Sequence, residues 1–184
     1  MPGALETTIR NTLTQGATAL HRFNSERGAA TEQPNPYLSG PNTPMDREVT
    51  LQQPRVSGTI PPQLDGCYAR IGPNPVAKVN PAKHHWFTGD GMVHGVRLQG
   101  GQALWYRNRW VRSTSVSQAL GEAPKPGPRK RSDTVNTNVL RIAGQPWALV
   151  EAGGNPVRLD GQLDTVAHDP FGGSLKGSYS AHPH

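Results

Sequence analysis

The chain has 184 residues with 21 Gly and 18 Pro, is 34% hydrophobic and 17% charged, and carries a formal net charge of +6. That density of breakers excludes helical bundles and coiled coils, which need long uninterrupted apolar periods. No apolar run exceeds four residues, too short to span a bilayer, and the single Cys67 excludes an internal disulfide and a cysteine-built zinc cluster. A lone thiol suits a reducing compartment, so a cytoplasmic location is expected.

Residues 1–34 read as a loosely attached arm. Leu5, Ile9, Leu13, Ala17 and Leu20 recur every three or four positions, the spacing of a short amphipathic helix, which Gly16 weakens. The arm lacks the continuous apolar core of a secretory signal, and Glu6 and Glu26 argue against an organellar transit peptide. From Gln33 to Met45, Pro34, Pro36, Gly40, Pro41 and Pro44 enforce extended, irregular chain.

After Glu48 the pattern is β. Arg55–Ile60, stopped by Pro61-Pro62, and Gly66–Gly72, stopped by Pro73, are predicted short strands. Met92, His94, Val96 and Leu98 alternate with Val93, Gly95 and Arg97. Beyond Gly100-Gly101, a second alternating run puts Leu104, Tyr106, Asn108 and Trp110 on one face. This is a hairpin, because a diglycine supplies the positive φ angles of a tight turn at no steric cost. A second hairpin is expected from Val135–Ile142 through Ala143–Pro146 to Trp147–Glu151, and a third from Val157–Leu159 through Asp160-Gly161 to Leu163–Val166. Successive hairpins with no helix between them indicate antiparallel sheets in meander order, as in a sandwich, barrel or propeller.

The positive charge is local. Seven basic residues lie between Arg107 and Arg131 against Glu122 alone, and the remainder of the chain is neutral. The loop Ala123–Arg131 could attract phosphates or an acidic partner. The favoured reading is a solvated, proline-rich connection kept exposed by its charges, with no nucleic acid bound.

Seven histidines are the candidates for chemistry: His21, His84, His85, His94, His168, His182 and His184. No phosphate-binding glycine loop, HExxH or GxSxG is present. His84-His85 with His94, and His182 with His184, are the two clusters. A strand puts alternate residues on one face, although Pro183 disturbs that geometry. An imidazole-built metal site needs three or four converging rings, and spacing alone does not show convergence.

Several stretches taken together resemble the carotenoid oxygenase family. They are Asn35–Gly40, Val56–Gly66, Arg70–Pro75, His85–His94, Tyr106–Arg112, Asn136–Val139, Ala148–Gly153, Leu163–Thr165, Phe171–Gly177 and Ala181–Pro183, in the family's order. The resemblance covers residues 35–184. It implies an all-β fold, the first blades of a seven-bladed propeller, on which four histidines hold one non-haem Fe(II) per full-length chain. It implies O2-dependent cleavage of a C=C bond in an apolar polyene, a carotenoid or apocarotenoid, to two carbonyl products. A stilbene is the alternative substrate, and an O2-independent isomerase branch and a non-catalytic basic β-module are the alternative functions. It further implies peripheral contact with a membrane.

Residue by residue, the family's first iron ligand falls on His182, in Ala-His-Pro, and a supporting glutamate behind an iron-ligating histidine falls on Glu151. His84, His85, His94 and His184 match no family ligand. The other three ligands would follow residue 184, so the chain is expected to be an incomplete piece, inactive by itself.

Overall fold

The computed structural model describes residues 35–151 and 153–183. The N-terminal arm, with His21, and the terminal His184 lie outside the described residues. Eight strands form two four-stranded antiparallel sheets. The first sheet contains β1 (Val49–Gln52), β2 (Gly66–Pro73), β3 (Gly91–Gln99) and β4 (Gln102–Trp110), in the order β1-β4-β3-β2. The second contains β5 (Asn138–Ile142), β6 (Gln145–Leu149), β7 (Val157–Leu159) and β8 (Thr165–His168), in plain meander order.

The β3–β4 hairpin forms where the diglycine predicts it. Gly100 and Gly101 have φ of 55° and 77°, so a two-residue turn pairs Gln99 with Gln102. Strand β2 pairs with β3 along its whole length, from Gly66 opposite Leu98 to Pro73 opposite Gly91. Strand β1 precedes β2 in sequence yet lines the far side of β4, with Val49 opposite Asn108. The buried Asn108 side chain secures this return, accepting the Val49 N–H at 2.5 Å and donating to the Arg47 carbonyl.

Three expectations need correction. Arg55–Ile60 is not a strand; pairing stops at Gln53, where φ is 46°, and Pro54 and Gly58, with φ of 90°, bend the chain away. The turn between β5 and β6 is the two residues Ala143 and Gly144, with φ of 47° and 81°, so Gln145 and Pro146 belong to β6. A short helix, α1 (Thr114–Ala119), also interrupts the succession of hairpins. Its Ser/Thr-rich sequence has weak helical preference, but the Ser113 hydroxyl accepts the Val116 N–H and caps it.

The sheets stack face to face. Val93 from β3, Ala148 from β6, Val157 and Leu159 from β7, and Val111, Val135 and Leu163 from the connections form the main core, with Ile71, Trp105 and Val139 packed against it. Alternate positions of β2, β3 and β4 therefore face the second sheet. Gly95 permits the approach: a Cβ there would lie 2.6 Å from Leu163 Cδ1 and 3.1 Å from Cys67 Sγ. On the opposite face of the first sheet, Leu51, Tyr106, Val96 and Tyr68 stand in one row across all four strands. Leu51 and Tyr68, at the ends of that row, are exposed, whereas Met92, Asn108 and Trp110 farther along the same face are buried, Met92 and Trp110 packing with Val116.

Candidate functional site

Two polar constellations stand out, and they differ in kind. The first is a seam between the sheets at the exit of β4. The Arg112 guanidinium, buried, donates to Glu122 through Nε and Nη2 at 2.8 and 2.9 Å, and to Glu48 through Nη2 at 3.1 Å and through Nη1. Burial works against its charge, but the two carboxylates more than offset that, so the group is held above its ordinary value. The Arg112 N–H donates to Thr165 Oγ1 at 3.0 Å, and its carbonyl meets His168 Nε2 at 3.0 Å.

His168 is only 1% exposed, and its Nδ1 has no partner among the described residues. A proton on Nε2 completes the bond to Arg112, which leaves the ring neutral with a bare Nδ1. Burial pushes its pKa below the ordinary imidazole value; the Arg129 charge adds to that push, while the bond to the Arg112 carbonyl and Asp133 oppose it. The charged groups of this seam satisfy one another and tie β4 to the connections around it.

The basic loop is mostly exposed, as a solvated connection should be, but it also touches the same seam. Pro126 offers its carbonyl to the His168 N–H at 2.9 Å, so the loop covers the edge of β8. Arg129 donates to Asp133 at 2.9 Å and to the Lys125 carbonyl at 2.8 Å, and Lys130 Nζ reaches the Gly177 carbonyl at 2.7 Å. Arg129 and Lys130 are thus spent on internal acceptors, while Arg131 is exposed.

The other histidines among the described residues do not converge. His85 caps a 3-10 turn (Trp86–Thr88), its Nδ1 accepting the Phe87 N–H. His94 Nδ1 bonds the Tyr106 hydroxyl at 2.9 Å, and burial with the Arg70 charge keeps that imidazole below its ordinary pKa. Among the described residues, no group of three or more His, Cys, Asp or Glu side chains could hold a metal ion. A cleft of about 510 Å³ between the sheets, beside Cys67, Arg97, Gln145 and Leu163, offers no activated nucleophile. Burial pushes the Cys67 thiol up, although Arg97 opposes it, and Arg97 is itself paired with Asp65 at 2.6 Å.

The second constellation lies where β5 begins and β6 ends. Residues 180–182 run back past these strand ends, and Ala181 is fully buried. Glu151 accepts the Ala181 N–H at 2.9 Å and the Ser180 hydroxyl at 3.4 Å. Asn138 Nδ2 donates to the Ala181 carbonyl at 2.6 Å. The His182 N–H donates to Ser180 Oγ at 3.0 Å, while the residue itself is exposed. The chain thus holds the backbone before His182 and turns His182 outward.

Glu151 therefore meets the backbone one residue before His182: its recorded bonds run to the main chain at Ala181 and to Ser180. Asn138 is the member that sequence reading missed. Its only signal was its place in the Asn136–Val139 stretch. The donor chemistry fits one corner of a nitrogen-ligated ion: an accessible imidazole on an anchored backbone. One corner does not hold a metal, and the remaining donors would have to come from outside the described residues.

The family model described as retinal pigment epithelial membrane protein matches residues 42–184. The Mycobacterium tuberculosis protein "Carotenoid cleavage oxygenase" is 53% identical over 158 residues, which cover 84% of this chain and 32% of that one. The Aspergillus fumigatus protein "Resveratrol cleavage oxygenase 1" is 33% identical over 162 residues, covering 80% and 32%. Among solved structures, Pseudomonas brassicacearum lignostilbene dioxygenase superposes with a TM-score of 0.69 at 25% identity, covering 84% of this chain and 35% of that one. A variant of Synechocystis apocarotenoid oxygenase gives a TM-score of 0.63 at 27% identity, covering 77% and 33%. The chain spans about a third of the length of the curated relatives it matches. The two stacked sheets are accordingly blades of a propeller.

Proposed function

The chain belongs to the carotenoid oxygenase family, and we propose that it supplies two blades and one metal-binding histidine, His182, to a non-haem Fe(II) dioxygenase. The reaction is cleavage of a C=C bond in a carotenoid or apocarotenoid, each alkene carbon taking one atom of O2 to give two carbonyl products. Bound iron would supply the activation of O2. What the residues of this chain contribute is placement. Glu151 and Asn138 hold Ala181, Ser180 holds the His182 N–H, and the ring is left free to donate a nitrogen. The single observation that carries the reading is that anchored backbone with its outward imidazole.

A carotenoid is favoured over a stilbene because the relative named for carotenoid cleavage is 53% identical and the one named for resveratrol cleavage is 33% identical. The same reading places the working protein in the cytoplasm with peripheral contact to a membrane, the reservoir of so apolar a substrate. It also makes the 184-residue chain inactive alone, because one imidazole cannot retain Fe(II).

The test joins this chain to the remaining two thirds of the mycobacterial relative, in place of the matching segment. With Fe(II) and O2, the fusion should convert an apocarotenal to two carbonyl products, resolved by liquid chromatography, and resveratrol more slowly. The His182→Ala fusion should convert neither. Turnover and stoichiometric iron retained by the 184-residue chain alone would overturn the proposal.

A further inference from the structure

The described chain begins at Asn35, beside an apolar cleft on the flank of the first sheet. The cleft measures about 350 Å3, with Leu38, Pro44 and Met45 on one wall and Pro75, Val76 and Val79 on the other. Met45 and Val79 are 37% and 36% exposed, so two large apolar side chains stand together in water. Both walls are firmly set. The buried Asn74 exchanges two hydrogen bonds with Met45, accepting its N–H at 2.7 Å and donating to its carbonyl at 2.9 Å. Val76 packs on Met92, Trp110 and Val116, and its N–H donates to Asp90 at 3.1 Å. Asn35 Nδ2 donates to the Pro81 and His84 carbonyls at 2.6 and 2.9 Å, which ties the entering chain just past the second wall. Walls held in this way do not collapse onto each other, so the cleft needs an occupant to shed its water.

We propose that the cleft is the docking site of the chain's own N-terminal segment, whose Leu5, Ile9 and Leu13 cover Met45 and Val79. Reach, spacing and charge select this occupant. The connection from Leu13 to Asn35, fully extended, spans about 70 Å. Leu38 of the first wall lies in the turn that directly follows Asn35, so the tether ends at the cleft itself. Leu5, Ile9 and Leu13 recur at every fourth position, which at helical spacing makes one continuous apolar stripe. Glu6 and Arg10 flank that stripe, and the cleft offers Lys78 on one wall and Asp46 on the other. Docking within one chain also needs little affinity. At an effective concentration of about 1 mM, an intrinsic dissociation constant of about 0.1 mM leaves the cleft about nine-tenths occupied. The segment is then a strap on the flank of the first sheet.

The test uses the 184-residue chain with Cys67→Ser and Arg47→Cys, carrying a nitroxide at position 47. The Arg47 side chain is 78% exposed and adjoins the Met45 wall without forming it. Paramagnetic relaxation enhancement is recorded at the amides of residues 5–13, with the sheet amides and the melting temperature as folding controls. The enhancement should be strong in the labelled chain and fall about tenfold in Leu5→Asp/Leu13→Asp, which empties the cleft. Val79→Asp, made on the opposite wall, should give the same fall.

No enhancement at residues 5–13 would overturn the proposal, as would an enhancement that the paired aspartates leave unchanged. Enhancement passed from labelled to unlabelled chains in a mixture would assign the cleft to a second copy and overturn it too. Capture of the chain by phosphatidylglycerol vesicles, lost in Leu5→Asp/Leu13→Asp and with no enhancement in buffer, would give the stripe to a membrane instead. Should Val79→Asp melt early, Leu5→Asp/Leu13→Asp decides, since it alters none of the residues that build the two sheets.

Discussion

The seam at Arg112 and the corner at Ala181 are built from the same materials, carboxylates, amides and an imidazole, and use them in opposite ways. At the seam the charged side chains turn inward and satisfy one another: Arg112 takes Glu48 and Glu122, and His168 takes the Arg112 carbonyl. At the corner the side chains serve the backbone, and the imidazole is the group left over. A buried ion pair is costly to break because the surviving partner keeps its desolvation penalty. An exposed imidazole costs the fold nothing and is available to a partner. Polar density alone thus does not mark a functional site.

Substitutions can break or sharpen that contrast. Arg112→Leu should have the largest effect, about 3 kcal/mol of lost stability in urea unfolding. That is the low end for a broken buried pair, because Glu122 is partly open to water. Gly127→Ala should cost about 2 kcal/mol in the same assay. Its Cβ would overlap the His168 carbonyl and its φ is 105°, so both the loop and the edge of β8 must yield.

The pH dependence of the seam follows from His168. Its folded pKa lies below 6.5, so the unfolded chain takes up the proton first on acidification. Stability should be whole above about pH 6.5 and decline as pH falls from there through the lowered folded value. His94 and His84 shift in the same direction, so the discriminating measurement is the difference from His168→Gln. That variant should show a shallower acid limb between pH 7 and 5; a parallel curve would remove His168 from the account. Smallest of all, His182→Ala should change unfolding stability by no more than about 0.5 kcal/mol. A large loss there would erase the distinction between corner and seam.

The elements legible in the sequence were those with local causes. The diglycine at 100–101 announces a hairpin because few other residues accept its backbone, and the Gly66–Gly72 strand was framed by its own turn residues. Strand β1 was hidden because its partner lies almost sixty positions downstream and four residues carry no usable alternation. Helix α1 was hidden because its cap, Ser113, sits in a run of hydroxyl residues that resembles a turn. The loop after Ala123 has the composition of a solvated segment and is mostly exposed, but nothing in that composition shows that Pro126 lies against β8. At the corner, His182 and Glu151 were reached through motif order, but no spacing rule connects Asn138 with a carbonyl 43 residues away.

The return of β1 to the far side of β4 has a consequence for biosynthesis. Val49 leaves the ribosome 59 residues before the Asn108 that will receive it, so at roughly 5–20 residues per second it waits several seconds for a partner. The second sheet faces no such delay, since each of its strands meets the next one in line. Nascent chains should therefore pass through a stage in which one N-terminal ribbon is unclaimed. Its brevity helps to keep that waiting ribbon from joining a neighbour on the same polysome.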